Sequence, residues 1–210
     1  REWGAQVVTY DRMTEDREAI GTRLADEQGA AYVHAYADPW VIEGQGSAGI
    51  EIAAQLAARD AAPASRIIAC CGGGGLSAGL ALACPEAEII PVEPEGWDDI
   101  ARSLATGEIV PVADDPPATA CDALQTFATR PINFAVLRER CPYGLAVSEA
   151  EVRAAQRFAF ARLRLVLEPG GSAALAAVLA GKAPVDGTTV VMLTGGNVDP
   201  RQFAQTIWQA

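Results

Sequence analysis

The stretch Arg66-Ile67-Ile68-Ala69-Cys70-Cys71-Gly72-Gly73-Gly74-Gly75-Leu76 decides the fold. Its first half is a short apolar run of the length of a fully buried strand. Four glycines follow, and then a helix of small residues, Leu76–Cys84. A strand that passes through glycines into a helix is an α/β unit. The unpaired N–H groups at such a helix start attract an anion, because the helix dipole favours negative charge there. The lysine of a nucleotide-triphosphate loop is absent, and Gly79 comes too late for a GxGxxG spacing. Four consecutive glycines suit a compact phosphate held by backbone alone. The competing reading is a turn that lets helix and strand pack closely.

Outward from this stretch, short apolar runs alternate with helical periodicity. Strands are expected at Gln6–Tyr10, Ala31–Tyr36, Glu88–Val92, Leu165–Leu167 and Thr188–Leu193. Helices are expected over Thr14–Gln28, after Ser47 with Ile50, Ala53, Ala54 and Ala57 on one face, from Asp98 to Thr106, over Gly171–Leu179 and over Asp199–Gln209. Ser148-Glu149-Ala150-Glu151 is a capping box that starts a further helix running to Arg164. The Pro- and Asp-rich stretch from Gly107 to Thr129 reads as loop. The fold class is therefore α/β, with a mainly parallel sheet covered by helices on both faces. Sites in such sheets lie at the carboxyl ends of strands.

Composition narrows the function classes. The 210 residues carry a formal charge of −11, from 16 basic and 27 acidic side chains. That excludes nucleic acid and anionic membrane surfaces as partners, since both require basic patches. No apolar run approaches the roughly 20 residues of a membrane span, and no signal peptide is visible. Five cysteines without a CxxC pair read as reduced thiols in a cytoplasmic protein. Cys70 and Cys71 read as buried strand residues, and His34, the single histidine, as structural. The chain begins with Arg1, so a fragment boundary is expected.

Two more glycine motifs fall near strand ends: Glu168-Pro169-Gly170-Gly171-Ser172 and Thr194-Gly195-Gly196-Asn197. Taken alone, each admits a plain turn or tight helix packing. In order and spacing, the tetraglycine loop, Val92-Glu93-Pro94 and these two motifs together resemble the fold-type II pyridoxal-phosphate enzymes, the tryptophan synthase beta-like fold. The branch resembled is the threonine/serine dehydratase and serine racemase group, whose Gly-Gln-Gly-Thr segment is similar to Gly44-Gln45-Gly46-Ser47. The likeness covers nearly the whole chain as the C-terminal two-thirds of such an enzyme. Residues 1–39 would be the second half of the small domain, and 40–210 most of the large, cofactor-binding domain.

The resemblance implies pyridoxal 5'-phosphate as cofactor. Gly72, Gly73, Gly74, Gly75 and Leu76 would cradle its phosphate, Thr194 would sit beside the pyridine nitrogen, and Asp122 would lie near the ring. Ala123 stands where the family usually has Gly. The resemblance also implies a divalent cation, Mg²⁺ or Ca²⁺, held by Glu93, the Trp97 carbonyl and Asp99. The competing reading is an acidic helix start that complements the dipole. Family members carry a Schiff-base lysine in a Ser-Xaa-Lys-Xaa-Arg-Gly-Ala segment, and this chain has none. Its one lysine, Lys182, lies in a Gly-Lys-Ala-Pro turn.

The complete protein is accordingly expected to convert L-threonine or L-serine to a 2-oxo acid and ammonia, as a homo-oligomer acting on a small amino acid. The isolated chain is expected to be inactive and poorly stable. A serine racemase, another fold-type II activity and a non-catalytic phosphate-binding homologue are the rival readings.

Overall fold

A computed structural model describes residues 4–208. The chain divides into two compact units, Arg1–Ala35 and Tyr36–Ala210.

Among its described residues the first unit holds one helix, α1 (Arg17–Gln28). Asp16 caps it by accepting from the N–H groups of Glu18 and Ala19, and Gly29 ends it at φ 61°. The strands expected at 6–10 and 31–36 do not form, and these stretches run as irregular chain. A strand exists through its ladder partners, and among the described residues neither stretch has one. Val7, Val8 and Val33 are 52%, 49% and 64% exposed, so the apolar signal is real but unburied. His34 places Nε2 3.1 Å from the Glu18 carboxylate, a local tie that fits its structural reading.

In the second unit, α2 (Pro39–Ala57) starts earlier than expected and swallows the Gly44–Ser47 segment. The cause is Asp38-Pro39: Asp38 accepts from the N–H groups of Trp40 and Val41, and proline is preorganised for the first helical turn. Next come β1 (Arg66–Cys70), α3 (Gly75–Ala83), β2 (Glu88–Pro94) and α4 (Asp99–Thr106). The expected long loop follows, broken by one 3₁₀ turn at Asp122–Leu124. Then come α5 (Pro131–Arg140) and β3 (Leu145–Val147), which sequence reading did not anticipate. The capping box forms as read, with Ser148 and Glu151 bonding each other's backbone at the start of α6 (Glu149–Phe158). That helix ends in a π turn, Ala159–Leu163, closed by Arg164 at φ 62°. No strand forms at 165–167. The unit is completed by α7 (Ala173–Leu179), β4 (Thr189–Val191) and α8 (Pro200–Trp208); Gln209, expected to end the last helix, lies outside the described residues.

The four strands form a parallel sheet in the order β3-β2-β1-β4. Successive side chains of β1 point to opposite faces. Ile68 and Cys70 join Ile90, Val92 and the alanines of α7 in one apolar layer. Ile67, Ala69 and Cys71 join Ile89, Leu80 and Ile100 in the other. Burial on both faces explains why β1 reads as an unbroken apolar run.

Helices α2 and α3 touch backbone to backbone. A Cβ on Gly79 would lie 2.5 Å from the Ile42 carbonyl oxygen and 2.6 Å from the Gly46 nitrogen. We predict that Gly79→Val separates these helices and lowers the unfolding free energy by about 2 kcal/mol or more, measured by denaturant titration. On the other side of the sheet, Lys182 ties the α7 end to the strand edge. Its Nζ donates to Glu151 at 2.7 Å and to the Ala146 carbonyl at 3.0 Å. Partial burial opposes ionisation of Glu151, but hydrogen bonds from Lys182 and Ser148 outweigh it and hold the carboxyl below its usual range. A depressed carboxyl pKa contributes stability above the unfolded value, lost as pH falls through the folded one. Lys182→Met should therefore destabilise by less than about 1 kcal/mol near neutrality. The deficit should vanish in acid melts, once Glu151 is protonated in both proteins.

Candidate active site at the strand ends

The carboxyl ends of β1 and β4 bring three glycine motifs together. Gly74, at φ 95°, turns the chain from β1 into α3, and no side chain caps that helix. Its first N–H groups thus lack a side-chain acceptor, as an anion cradle requires. The loop is fenced by side chains that sequence reading missed. A Cβ on Gly73 would fall 2.2 Å from the Tyr36 ring, and one on Gly72 3.2 Å from Thr126 Oγ1. Asn133 donates to the Tyr36 carbonyl at 2.9 Å, and Thr129 donates to the Gly73 carbonyl at 3.1 Å. Tyr36 is separated from Asn133 by 97 positions, so no local pattern could have found the pair. Leu76, in the first turn of α3, packs against both apolar layers.

Asp122 opens the 3₁₀ turn, is exposed, and accepts from the Ala123 N–H at 2.9 Å. The same turn lies along the glycine loop: a Cβ on Gly72 would be 3.3 Å from the Leu124 Cα and 3.4 Å from the Ala123 carbonyl oxygen. Thr194 follows β4, with its backbone N–H donating to the Gly171 carbonyl at 3.3 Å. Its Oγ1 lies 3.2 Å from the Sγ of Cys70, two residues before the glycines. Glu168 organises this end of the site. Its N–H donates to the Gly195 carbonyl at 3.0 Å, and its carboxylate accepts the Asn197 N–H at 3.1 Å. A Cβ on Gly195 would lie 2.2 Å from the Glu168 carboxylate, so a larger residue there would push that side chain aside.

Glu93, near the carboxyl end of β2, and Asp99, at the start of α4, are both buried. Glu93 caps α4, accepting from the N–H groups of Ile100 at 3.1 Å and Ala101 at 2.8 Å. Asp99 accepts from the Thr129 N–H at 2.7 Å through Oδ2, whereas its buried Oδ1 has no partner. Burial pushes both carboxyls up, Asp99 to about 7. Trp97 is buried, with its indole N–H donating to the Pro117 carbonyl at 2.8 Å. Among the described residues no cluster of three His, Cys, Asp or Glu side chains converges on a metal position. Both carboxylates are thus engaged with backbone N–H groups, apart from the one orphaned Asp99 oxygen.

The remaining candidates are spoken for. The five cysteines are free thiols, and burial pushes Cys71 well up and Cys121 and Cys141 up to about 12, so none of these three is an activated nucleophile. Lys182 is engaged with Glu151 and, at 3.5 Å, Glu95. Among the described residues no helix is long and apolar enough to cross a membrane.

Comparison with known proteins agrees with this arrangement. A family model described as pyridoxal-phosphate dependent enzyme matches residues 1–195. An L-threo-3-hydroxyaspartate ammonia-lyase of Pseudomonas sp is 40% identical, over 99% of this chain and 64% of its own length. A serine racemase of Schizosaccharomyces pombe is 34% identical over the same shares. The crystal structure of a T.th. threonine deaminase superposes with a TM-score of 0.86 at 40% identity, covering 95% of this chain and 65% of that one. The chain thus spans somewhat less than two-thirds of the length of these relatives. With its glycine loop, sheet order and terminal Thr-Gly-Gly-Asn in one place, the chain belongs to the fold-type II family of pyridoxal-phosphate-dependent enzymes.

Proposed function

We propose that the complete protein is a pyridoxal-phosphate-dependent lyase that removes water from L-threonine or L-serine, releasing a 2-oxo acid and ammonia. The observation that carries this reading is the uncapped start of α3, which follows a strand whose last residue, Cys70, touches the Thr194 hydroxyl. When bound, the cofactor supplies an electron sink for the bonds at the substrate α-carbon. The N–H groups of Gly72 to Gly75 and Leu76 would hold its phosphate. Thr194 would donate to the pyridine nitrogen, and the Asp122 turn would border the ring. A hydroxyl, unlike a carboxylate, does not stabilise a protonated ring nitrogen. That restrains the sink and favours prompt loss of a β-hydroxyl over a long-lived carbanion. Lys182, held by two carboxylates, is unsuited to the role of covalent cofactor lysine. We assign that role to a lysine in the part of the protein that precedes residue 1. Residues 1–39 would complete a small domain and 40–210 form most of the cofactor-binding one.

Similarity to the hydroxyaspartate ammonia-lyase favours a second substrate of the same class, L-threo-3-hydroxyaspartate. Sequencing the coding DNA upstream of Arg1 should reveal a Ser-Xaa-Lys-Xaa-Arg-Gly-like segment. The product carrying it should release 2-oxo acid from at least one of the three β-hydroxy amino acids. Gly73→Val, which drives a side chain into the Tyr36 ring, should weaken cofactor binding at least tenfold. D-serine formation without 2-oxo acid would replace the lyase reading by racemisation. Failure to bind the cofactor would remove both.

We also assign Glu93, Asp99 and the Trp97 carbonyl as ligands of Mg²⁺ or Ca²⁺, on the strength of the orphaned Asp99 Oδ1. Millimolar Mg²⁺ or Ca²⁺ should raise the melting temperature of the wild type by a few degrees relative to chelator. The rise should disappear in Asp99→Asn. An equal rise in both proteins would overturn the assignment.

A further inference from the structure

Thr194 is exposed at the end of β4, yet its hydroxyl faces inward to a buried sulfur. The alternation of β1 puts Cys70 on the face covered by α7, at the last position of the strand, with Sγ 3.2 Å from Thr194 Oγ1. Either atom of this pair can donate. The two directions have opposite consequences, because a hydroxyl carries one hydrogen and two lone pairs. A hydroxyl that donates to sulfur offers only lone pairs outward. A hydroxyl that accepts from the thiol keeps its hydrogen for the site.

The surroundings supply the proton that the second direction needs. Burial and the nearby Glu168 carboxylate favour the neutral thiol, although the Thr194 contact works against them; the net effect raises the Cys70 pKa. The sulfur therefore retains its proton, and Thr194 Oγ1 lies within its reach. The Thr194 backbone is itself fixed through its N–H bond to Gly171, so the hydroxyl swings about one restrained torsion.

We propose that Cys70 is a positioning residue: its thiol donates to Thr194 Oγ1 and turns the hydroxyl hydrogen outward, toward an unprotonated ring nitrogen. This assignment rests on the pyridoxal-phosphate reading and deepens it, since Cys70 itself never touches the cofactor. The thiol selects which ionisation state of the ring the site accepts. A protonated ring nitrogen would meet the Thr194 hydrogen head-on.

Pyridoxine 5'-phosphate tests this without a covalent lysine, because its absorption reports whether the bound ring nitrogen is protonated. In this protein, Cys70→Ala should weaken the analogue about three- to tenfold, the range of one lost hydrogen bond. It should also let the bound ring protonate at higher pH than in the wild type. Cys70→Ser should restore the wild-type titration. Thr194→Val should show the same shift, with no further change when combined with Cys70→Ala. Without any ligand, the infrared S–H band that is missing in Cys70→Ala should move in Thr194→Val, a surface change that leaves the core intact. A wild-type ring titration in Cys70→Ala, alongside a shifted one in Thr194→Val, would overturn the role of Cys70 and leave the cofactor reading standing. An unshifted titration in Thr194→Val, or no binding of the analogue, would overturn the cofactor reading and this proposal with it.

Discussion

Strand β1 is paired on both edges and covered on both faces, and this confinement sets the geometry of everything around it. Arg66, at its start, is hydrogen-bonded to Glu88 of β2 on one side and to Asp186 and the Pro184 carbonyl, just before β4, on the other. At its end, Cys70 and Cys71 enter opposite apolar layers. The chain that leaves such a strand must turn at once, beneath the 122–124 turn and against Tyr36, with almost no volume to spare. Side chains would collide there, so the turn is glycine. The same absence of side chains leaves the start of the next helix without a side-chain cap. Tight packing and an uncapped helix start are thus two results of one restriction.

Around this turn, carboxylates act mainly as fasteners for backbone. Glu93 holds the start of α4, Glu168 holds the Thr-Gly-Gly-Asn loop, and Asp99 holds Thr129, whose hydroxyl in turn holds the Gly73 carbonyl. Such bonds satisfy backbone N–H groups in segments that no ladder supports. The arrangement links the glycine loop to the acidic pair by a short bonded path, Gly73 to Thr129 to Asp99.

Much of the second unit was legible because local signals agreed with the global fold. Arg66–Cys71 was readable from its apolar run, α3 from its small residues and α6 from a capping box that forms as written. The misses have physical causes. Helix α5 begins at Pro131, after Arg130, and mixes Arg138 and Arg140 with buried Asn133, Phe134 and Leu137, so its apolar stripe is thin. Strand β3 has three residues, too few for a period to appear. Helix α2 was placed late because Gly44 and Gly46 look like a loop until α3 is known to lie against them. In the first unit, the apolar runs at 6–10 and 31–36 lack the ladder that would make them strands. At the site, the glycine motifs and Thr194 were visible in one dimension, whereas Tyr36, Thr126, Thr129 and Asn133 become neighbours only through the fold. The Cys70–Thr194 contact joins residues 124 positions apart and belongs to the same class.

The sheet order also has a temporal meaning. Arg66 pairs with Glu88 across a short crossover but with Thr189 across most of the second unit. Closing a longer chain segment carries a larger entropic penalty, and non-local pairings slow folding. The β1–β2 pairing therefore closes at the smaller entropic cost, whereas α4 to α7 separate β4 from β1. Without β4, β1 is paired along one edge only. A chain that ended before β4 would keep the glycine turn but lack Thr194, and its central strand would be open along one side.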